Sequence, residues 1–404
     1  GVGRYDQVGA IDDSFVAHTS NNVYQVHGHR NAQNYPAQYN QRCFNLEGKV
    51  EFGGALRAAQ LAEEGWSVVE VSNQSAEGIL HPENAPLIHG LRANKLIGER
   101  SLPGNISSFH FKPKVFYDKK WTAQTVRARG LFMNTLTNEI VIRAYDKFFN
   151  VGERRETEFA ALKDQLVFPV RAWVKENGYL GLVGYDATLG DLVFASKTTT
   201  ESDFAGWFRR LFLQRYGKHV DAIRQYLAEY NVCLVCEVIL PTEDPHIIEY
   251  AQDRIVLLDI VHRQEKFAAV DQVERERFAA MFGMETKRLA ATLQTWEEFA
   301  TWYEQVQGLD YLYDGVPIEG FVIEDAQHWQ VKAKLDYYSF WKRMRGVLDG
   351  LKAGRSPKRV AAYPHPEYAA RVIAYMQGIP TDVLAQMSII DVRRRWQREQ
   401  EKAV

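Results

Sequence analysis

The sequence predicts an α+β fold in which a central domain of antiparallel sheets follows an N-terminal extension and precedes a helical C-terminal domain. Three observations predict it. From about residue 106, short β-branched and aromatic runs recur at close spacing, with helical stretches among them and no regular βαβ alternation. From about residue 338 the pattern turns helical, broken only at 354–366 and 378–380, where glycine and proline gather. The first hundred residues, rich in Asn, Gln and His, match neither texture. At 404 residues the chain exceeds most single cores, so a division into 1–105, 106–342 and 343–404 is expected.

In chain order, the opening residues read as loop, and a short helix near 54–64 leads into a strand at 67–71. Strands are expected at 109–117, 126–133 and 139–144. An apolar lead-in over 166–174 ends at Lys175. Strands at 180–185 and 192–196 then flank Asp186-Ala187-Thr188-Leu189-Gly190-Asp191, a hairpin signature. Trp207, Phe208, Leu211 and Phe212 mark the apolar face of a helix. Buried strands follow at 232–240 and 254–261, residues 264–307 read as helical and charged, and strands return at 318–323 and 329–335.

Composition excludes several classes. Hydrophobic residues at 46% and aromatics at 12% describe an ordered globular chain. No apolar run reaches membrane-spanning length, and Gly1-Val2-Gly3-Arg4-Tyr5 does not read as a signal peptide. A start without methionine suggests a processed or expressed segment. Three cysteines leave no disulfide framework, which fits a reducing compartment: cytoplasmic, or nuclear in a eukaryote, and not secreted. Cys233 and Cys236 form a CxxC within an apolar strand, where residues three apart face opposite ways, so core cysteines are expected over a zinc site. His27 and His29 have no third ligand nearby and read as surface histidines. Glycine-rich phosphate loops do not occur in a strand–loop–helix setting, so a phosphate-bearing substrate would be held by lysines and arginines. Net charge is −2, yet from Lys332 onward 15 Lys/Arg face 7 Asp/Glu. That basic end suits a polyanionic partner or, more simply, a solvated helix face.

The chemistry-bearing residues stand where strands should be apolar. Glu237 lies inside 234–240, and a carboxylate there is costly unless paired or bound. Glu319 heads the apolar run 320–323. Lys332 and Lys334, two apart on a strand, project from one face, with Val331, Ala333 and Leu335 on the other. Lys175 is a useful nucleophile only when deprotonated, which an apolar pocket or a nearby cation favours. The following Gly178 would let a ligand lie close against the backbone. Taken singly, each is more simply an edge-strand charge or a surface ion pair. The order Lys, Glu, Glu, Lys-x-Lys is harder to dismiss.

That order resembles the covalent nucleotidyltransferases, which comprise RNA ligases, DNA ligases and mRNA capping enzymes. Lys175-Glu176-Asn177-Gly178 is similar to their Lys-x-(Asp/Asn)-Gly, and Cys236-Glu237-Val238 to their strand glutamate. The run 254–261, then Glu319-Gly320-Phe321-Val322 and Val331-Lys332-Ala333-Lys334-Leu335, occupy the places of their later motifs. Arg127-Ala128-Arg129-Gly130, Lys147-Phe148-Phe149-Asn150 and Ser196-Lys197 sharpen the resemblance to T4-type tRNA-repair RNA ligases and to the ligase domain of fungal tRNA-splicing ligases. It covers about 106–342 and implies an ATP-grasp-like, antiparallel-sheet ligase domain.

The resemblance further implies ATP-dependent joining of RNA 5′-phosphate and 3′-hydroxyl ends, broken tRNA among them, in repair or splicing. Lys175 would be the nucleophile that takes AMP. Arg129, Lys147, Lys197, Glu237, Glu319, Lys332 and Lys334 would bind ATP, and Glu237 and Glu319 would also hold Mg²⁺ or Mn²⁺. Neighbouring cations are expected to favour a neutral amine at Lys175. From charge placement, Arg343, Arg345, Lys358 and Arg359, with Lys352, Arg355 and Arg393 to Arg395, would grip RNA. A monomer with no membrane contact is expected. The competing readings are a DNA ligase or capping enzyme, against which the Arg-Gly and Lys-Phe-Phe-Asn segments speak, and a non-catalytic RNA-binding relic, against which the complete residue set speaks. A Schiff-base lysine enzyme lacks a cofactor motif.

Overall fold

The computed structural model describes residues 10–28, 37–48, 55–63, 65–72 and 80–401. Helix α1 (Ala10–His18) precedes a small sheet of β1 (Gln25–His27), β2 (Gln38–Asn40) and β3 (Cys43–Asn45), with β3 in the middle. His27 lies 3.3 Å from Asp12, and His29 lies outside the described residues. The helix expected near 54–64 is instead a strand, β4 (Ala55–Ala62), paired along its length with β5 (Gly65–Ser72). The Leu- and Ala-rich stretch favours helix locally, but a β-branched partner strand decides the outcome.

Helix α2 (Ala85–Ala93) covers an antiparallel sheet of β6 (Ile97–Leu102), β7 (Ile106–Phe111), β8 (Leu131–Asn134) and β9 (Ile140–Arg143). The expected strands 109–117 and 126–133 are shorter because helices α3 (Pro113–Tyr117) and α4 (Ala123–Arg127) intervene. Pro113 removes a ladder donor and opens α3, while the Thr122 hydroxyl accepts from Thr125 N to cap α4. Gly130, at φ +62°, then turns the chain into β8.

Next come β10 (Phe149–Asn150), α5 (Phe159–Gln165), β11 (Val170–Lys175), β12 (Tyr179–Asp186), β13 (Asp191–Ala195), α6 (Asp203–Tyr216), α7 (Val220–Glu229), β14 (Val232–Ile239) and β15 (Arg254–His262). The stretch expected to be helical over 264–307 holds α8 (Gln272–Phe282), β16 (Glu285–Thr286), β17 (Leu289–Leu293) and α9 (Trp296–Gln305). Gly283, left-handed at φ +66°, ends α8, and the unsatisfied edge of β11 recruits β17. After β18 (Gly320–Glu324) and β19 (Gln330–Lys334) the chain continues through α10 (Asp336–Lys352), α11 (Pro366–Gly378), α12 (Thr381–Gln386) and α13 (Ile389–Glu401).

Two five-stranded sheets organise the centre, ordered β10-β19-β18-β11-β17 and β13-β12-β14-β15-β16. Their pairings are antiparallel except β10 with β19 and β15 with β16. The expected α+β, antiparallel-sheet fold with a helical C-terminal region is therefore the one observed. The second sheet is covered on one face by α6, α7 and α8, through Phe208, Phe212, Ile223 and Phe278, and on the other by the β6–β9 sheet, through Phe132 and Ile142. Every residue of β14 is buried between them, and Cys233 and Cys236 point to opposite faces as free thiols. The first sheet packs Ala172, Phe321, Val331 and Ala333 on α5 and α9. Helices α10 to α13 close around Trp341, Met344, Met376 and Trp396, and this core also takes in Ile247 and Ile248 from the β14–β15 connection. Among the described residues no helix is long and apolar enough to cross a membrane.

Candidate active site

The chain passes from one large sheet to the other through Glu176, Asn177 and Gly178, which places Lys175, the last residue of β11, at the crossing. There it faces a cavity of about 400 Å³ walled by both sheets and by α10. Arg129, Glu237, Glu319, Lys332 and Lys334 share that wall with it, so the structure gathers six of the eight residues expected at the ATP site.

The crossing is held by its own side chains. Asn177 N donates to Tyr250 Oη at 2.8 Å, Asn177 Nδ2 donates to Glu319 at 3.0 Å, and Asn177 Oδ1 accepts from Ile248 N at 3.2 Å. An aspartate here would set a second carboxylate against Glu319, whereas the amide supplies a donor. Gly178 N donates to Glu237 Oε1 at 2.9 Å. Gly178 was expected to make room for a ligand; what lies closest is strand β14, since a Cβ would sit 2.1 Å from Val238 O. Glu176 is buried against Arg254, Arg288 and the Tyr250 hydroxyl, with both arginines within 3.4 Å. As the variable position of the motif it carried no signal in the sequence.

Electrostatically the site divides in two. At one end Glu319 bridges two ammonium groups, Lys175 at 2.9 Å and Lys334 at 2.8 Å. Burial opposes the charge on Lys175, but Glu319 and Glu237 overcome it and hold the amine well above the usual lysine range. The expectation of a neutral Lys175 ringed by cations is thereby corrected, because its nearest charged neighbours in space are carboxylates. Burial likewise works against Glu319, yet Lys175 and Lys334 bring its carboxyl below the ordinary value. Glu237, with less compensation, is raised by burial and by the Glu319 charge despite the pull of Lys175.

At the other end cations crowd one another. Lys332 and Lys147 both donate to the Phe148 carbonyl, at 2.9 and 3.0 Å. Burial, reinforced by Arg129, Lys147, Lys175 and Lys334, pushes Lys332 down to about 6. Burial and Arg129 also lower Lys147, partly offset by Glu153 at 3.6 Å. Lys147 and Lys197 are not on the cavity wall; Lys197 is lowered by burial and by the Arg129 charge. Cations this close together favour an anionic ligand.

Sequence reading missed the inner end of the cavity. Leu258 and Val322 line it from the two sheets, and Trp173, Lys287 and Tyr145 stand there too. Lys287 donates to Asp259 at 2.8 Å and lies 4.7 Å from the Trp173 ring; Asp259 also accepts from Arg275 at 2.9 Å and from the Tyr145 hydroxyl. Lys287 fell in the stretch read as helical; the bond from its N–H to Leu257 O at 3.1 Å and its ion pair with Asp259 place it against β15.

The basic tail is partly corrected. Arg345 lines the cavity from α10 and Arg343 faces the 355–363 strap, donating to Ala362 O, while Lys358 and Arg359 lie away from the cavity. Arg393 is buried, bonded to Ile247 O and paired with Glu249, and Arg394 pairs with the same carboxylate. Both arginines tie the helical region to the β14–β15 connection; Arg393 is buried there and not free to grip a polyanion, whereas the Arg394 side chain stays exposed.

Two antiparallel sheets with a lysine at their crossing, opposed carboxylates and a bank of cations define a domain of the nucleotidyltransferase type. A family model described as RNA ligase matches residues 127–338, just over half of the chain, and the chain belongs to this T4-type RNA ligase family. It is 31% identical over 166 residues to a tRNA ligase of Candida albicans, covering 34% of this chain and 19% of that protein. It is 25% identical over 259 residues to tRNA ligase 1 of Schizosaccharomyces pombe, covering 57% and 32%. The chain thus spans less than a third of the length of either relative. An archaeal ATP-dependent RNA ligase structure superposes with a TM-score of 0.46 at 13% identity, over 78% of this chain and 75% of that one.

Proposed function

We propose that this chain is an ATP-dependent RNA ligase that works through a lysyl–AMP intermediate. The observation that carries the reading is the set of six ATP-site candidates on one cavity wall, with the Lys175 amine held by a carboxylate and Arg129 and Lys332 facing the same cavity. In the first step Lys175 Nζ attacks the α-phosphorus of ATP, a P–N bond forms, the bond to the β-phosphate oxygen breaks, and pyrophosphate leaves. Arg129, Lys332 and Lys334 offset the charge that develops on the phosphates. Leu258 and Val322 offer apolar walls for the base. AMP then passes to an RNA 5′-phosphate, and an RNA 3′-hydroxyl displaces it, joining the ends and releasing AMP.

Attack needs the neutral amine, and the resting site opposes it. Among the described residues no group of three or more His, Cys, Asp and Glu side chains is arranged to hold a metal. Glu237 and Glu319 nevertheless face one cavity as buried carboxylates, a donor set that suits Mg²⁺ or Mn²⁺ retaining several waters. Glu237 and Glu319 would hold such a cation, and its charge would compete with Lys175 for both carboxylates and so loosen their hold on the proton. The family match supports RNA as substrate, and the relatives' names support tRNA among the RNAs joined. The test is intact mass after incubation with ATP and Mg²⁺. One added AMP on the Lys175 peptide is expected, with none in Lys175→Arg, which keeps the charge but not the nucleophile. Labelling of Lys175→Arg by α-labelled ATP would refute the proposal.

A further inference from the structure

We infer that the segment 112–121, between β7 and α4, is a docking surface for single-stranded RNA beside the cleft, an inference that rests on the ligase reading above. From Lys112 to Trp121 four lysines accompany one acidic residue, Asp118, in a chain of net charge −2. The geometry keeps this charge available. Lys114 and Lys120 share Asp118, at 3.0 and 3.2 Å, so two ammonium groups have one carboxylate between them. Lys119, turned outward at φ +54°, is exposed. The field reaches across the sheet: burial lowers His110, and Arg100, Lys197 and Lys112 lower it further.

Two exposed aromatic rings stand in that field. Val115 is fully buried and anchors α3, which turns Phe116 and Tyr117 outward at 52% and 79% exposure. The rings meet edge to face at 5.7 Å, which leaves ring faces open to solvent. Rings this exposed among cations fit neither a core nor an ordinary solvated surface. They do fit unpaired bases, whose flat faces stack on aromatics while lysines follow the phosphates. The patch also leads to the site. Trp121 packs on Phe149 at 5.2 Å and lies 5.4 Å from Lys147 Nζ, and Phe149 is paired with Val331, next to Lys332. An RNA strand on the patch would therefore approach the cationic end of the cavity.

The test uses the full chain with two variants, Phe116→Ala/Tyr117→Ala and Lys114→Gln/Lys119→Gln/Lys120→Gln, binding a short 5′-phosphorylated single-stranded RNA followed by fluorescence anisotropy at several salt concentrations. The aromatic variant is expected to bind about tenfold or more weakly with an unchanged salt slope, the effect of one lost stacked base. The lysine variant should lower the slope of log K against log salt by about 2, from three lost phosphate contacts. Lysyl–AMP formation should match the parent in both. RNA affinity and salt slope unchanged in both variants would overturn the inference. So would a loss of RNA affinity that only tracks a loss of adenylylation, and so would capture of anionic vesicles by the patch with RNA binding intact. A parent chain that binds RNA through the patch but is never adenylylated would leave this surface standing and remove the ligase reading; the reverse result would do the opposite.

Discussion

Replacing Glu319 by Gln should separate two properties the cleft couples, the proton on Lys175 and the stability of the site. Glu319 Oε2 lies 2.9 Å from Lys175 Nζ and Oε1 lies 2.8 Å from Lys334 Nζ. Unit charges that close attract by roughly 6 kcal/mol at an effective dielectric near 20. A fifth of the Lys175 side chain is exposed (20%). Screening through that opening brings the figure to on the order of 3 kcal/mol, about a hundredfold in the ratio of charged to neutral amine. The carboxylate favours the ammonium, so the variant has the larger neutral fraction. Below both pKa values that fraction climbs about tenfold per pH unit in either protein, so the two curves run parallel. Competitive acetylation with trace acetic anhydride between about pH 7 and 9, read on the Lys175 peptide against an exposed lysine, measures the offset. Reactivity toward anhydride should rise while adenylylation by ATP falls, because the reagent needs only the amine and ATP needs the whole cleft. Stability moves the other way: two ammonium groups left without their counter-charge cost roughly 3–5 kcal/mol. The raised Lys175 keeps its share of that stability below its unfolded value of 10.5 and loses it only above. The lowered Glu319 keeps its share above 4.5 and loses it as pH falls through its folded value, so the deficit is constant near neutrality. An unchanged acetylation curve in the variant would refute this account of the resting site.

Three further outcomes are expected. Because Lys332 is pushed down to about 6, the resting amine is neutral near pH 7.5, and ATP binding should take up about one proton there and almost none near pH 5. Calorimetry in buffers of different ionisation heat checks this, with Lys332→Met losing the uptake; the same substitution should raise the melting temperature of the ATP-free protein, since a depressed lysine costs stability as pH falls from 10.5 through its folded value. Asp259→Asn leaves Arg275 and Lys287 buried without their carboxylate and should lower the urea midpoint, a loss of roughly 3–5 kcal/mol. Gly320→Ala sets a Cβ 2.2 Å from Ala333 O at φ +151°, which should part β18 from β19 and abolish adenylylation while far-UV circular dichroism changes little.

Legibility in the sequence followed how far each feature depended on partners distant in the chain. Strand β14 was readable because burial on both faces makes it continuously apolar, and Glu237 stood out against that background. Strand β19 was readable because Val331 and Ala333 alternate with Lys332 and Lys334. The strands β4 and β17 were not, because Ala- and Leu-rich stretches become strands only when an edge elsewhere accepts them. Lys287 was invisible for the same reason, as its place on the cavity wall depends on a sheet register that no local pattern encodes.

Charge state was the hardest property to read, and the cause is general. A sequence counts cations but does not say which of them the fold neutralises. Lys175, Lys332 and Lys334 look equivalent in the chain, yet Glu319 stands between the first and the last, while Lys332 shares the Phe148 carbonyl with Lys147. The expected depression of a lysine is therefore present, but on Lys332 and not on the nucleophile. This division has a chemical consequence. A triphosphate would bring negative charge to Lys332, whereas nothing a nucleotide carries relieves Lys175 of its carboxylates. A cation held by Glu237 and Glu319 would do that. On the proposed function, ATP alone should bind without reacting, and divalent metal should act chiefly on the rate of lysyl–AMP formation. Single-turnover adenylylation at saturating ATP, titrated with Mg²⁺, distinguishes this from a metal needed only for nucleotide affinity. A rate constant independent of Mg²⁺ once ATP is saturating would contradict it.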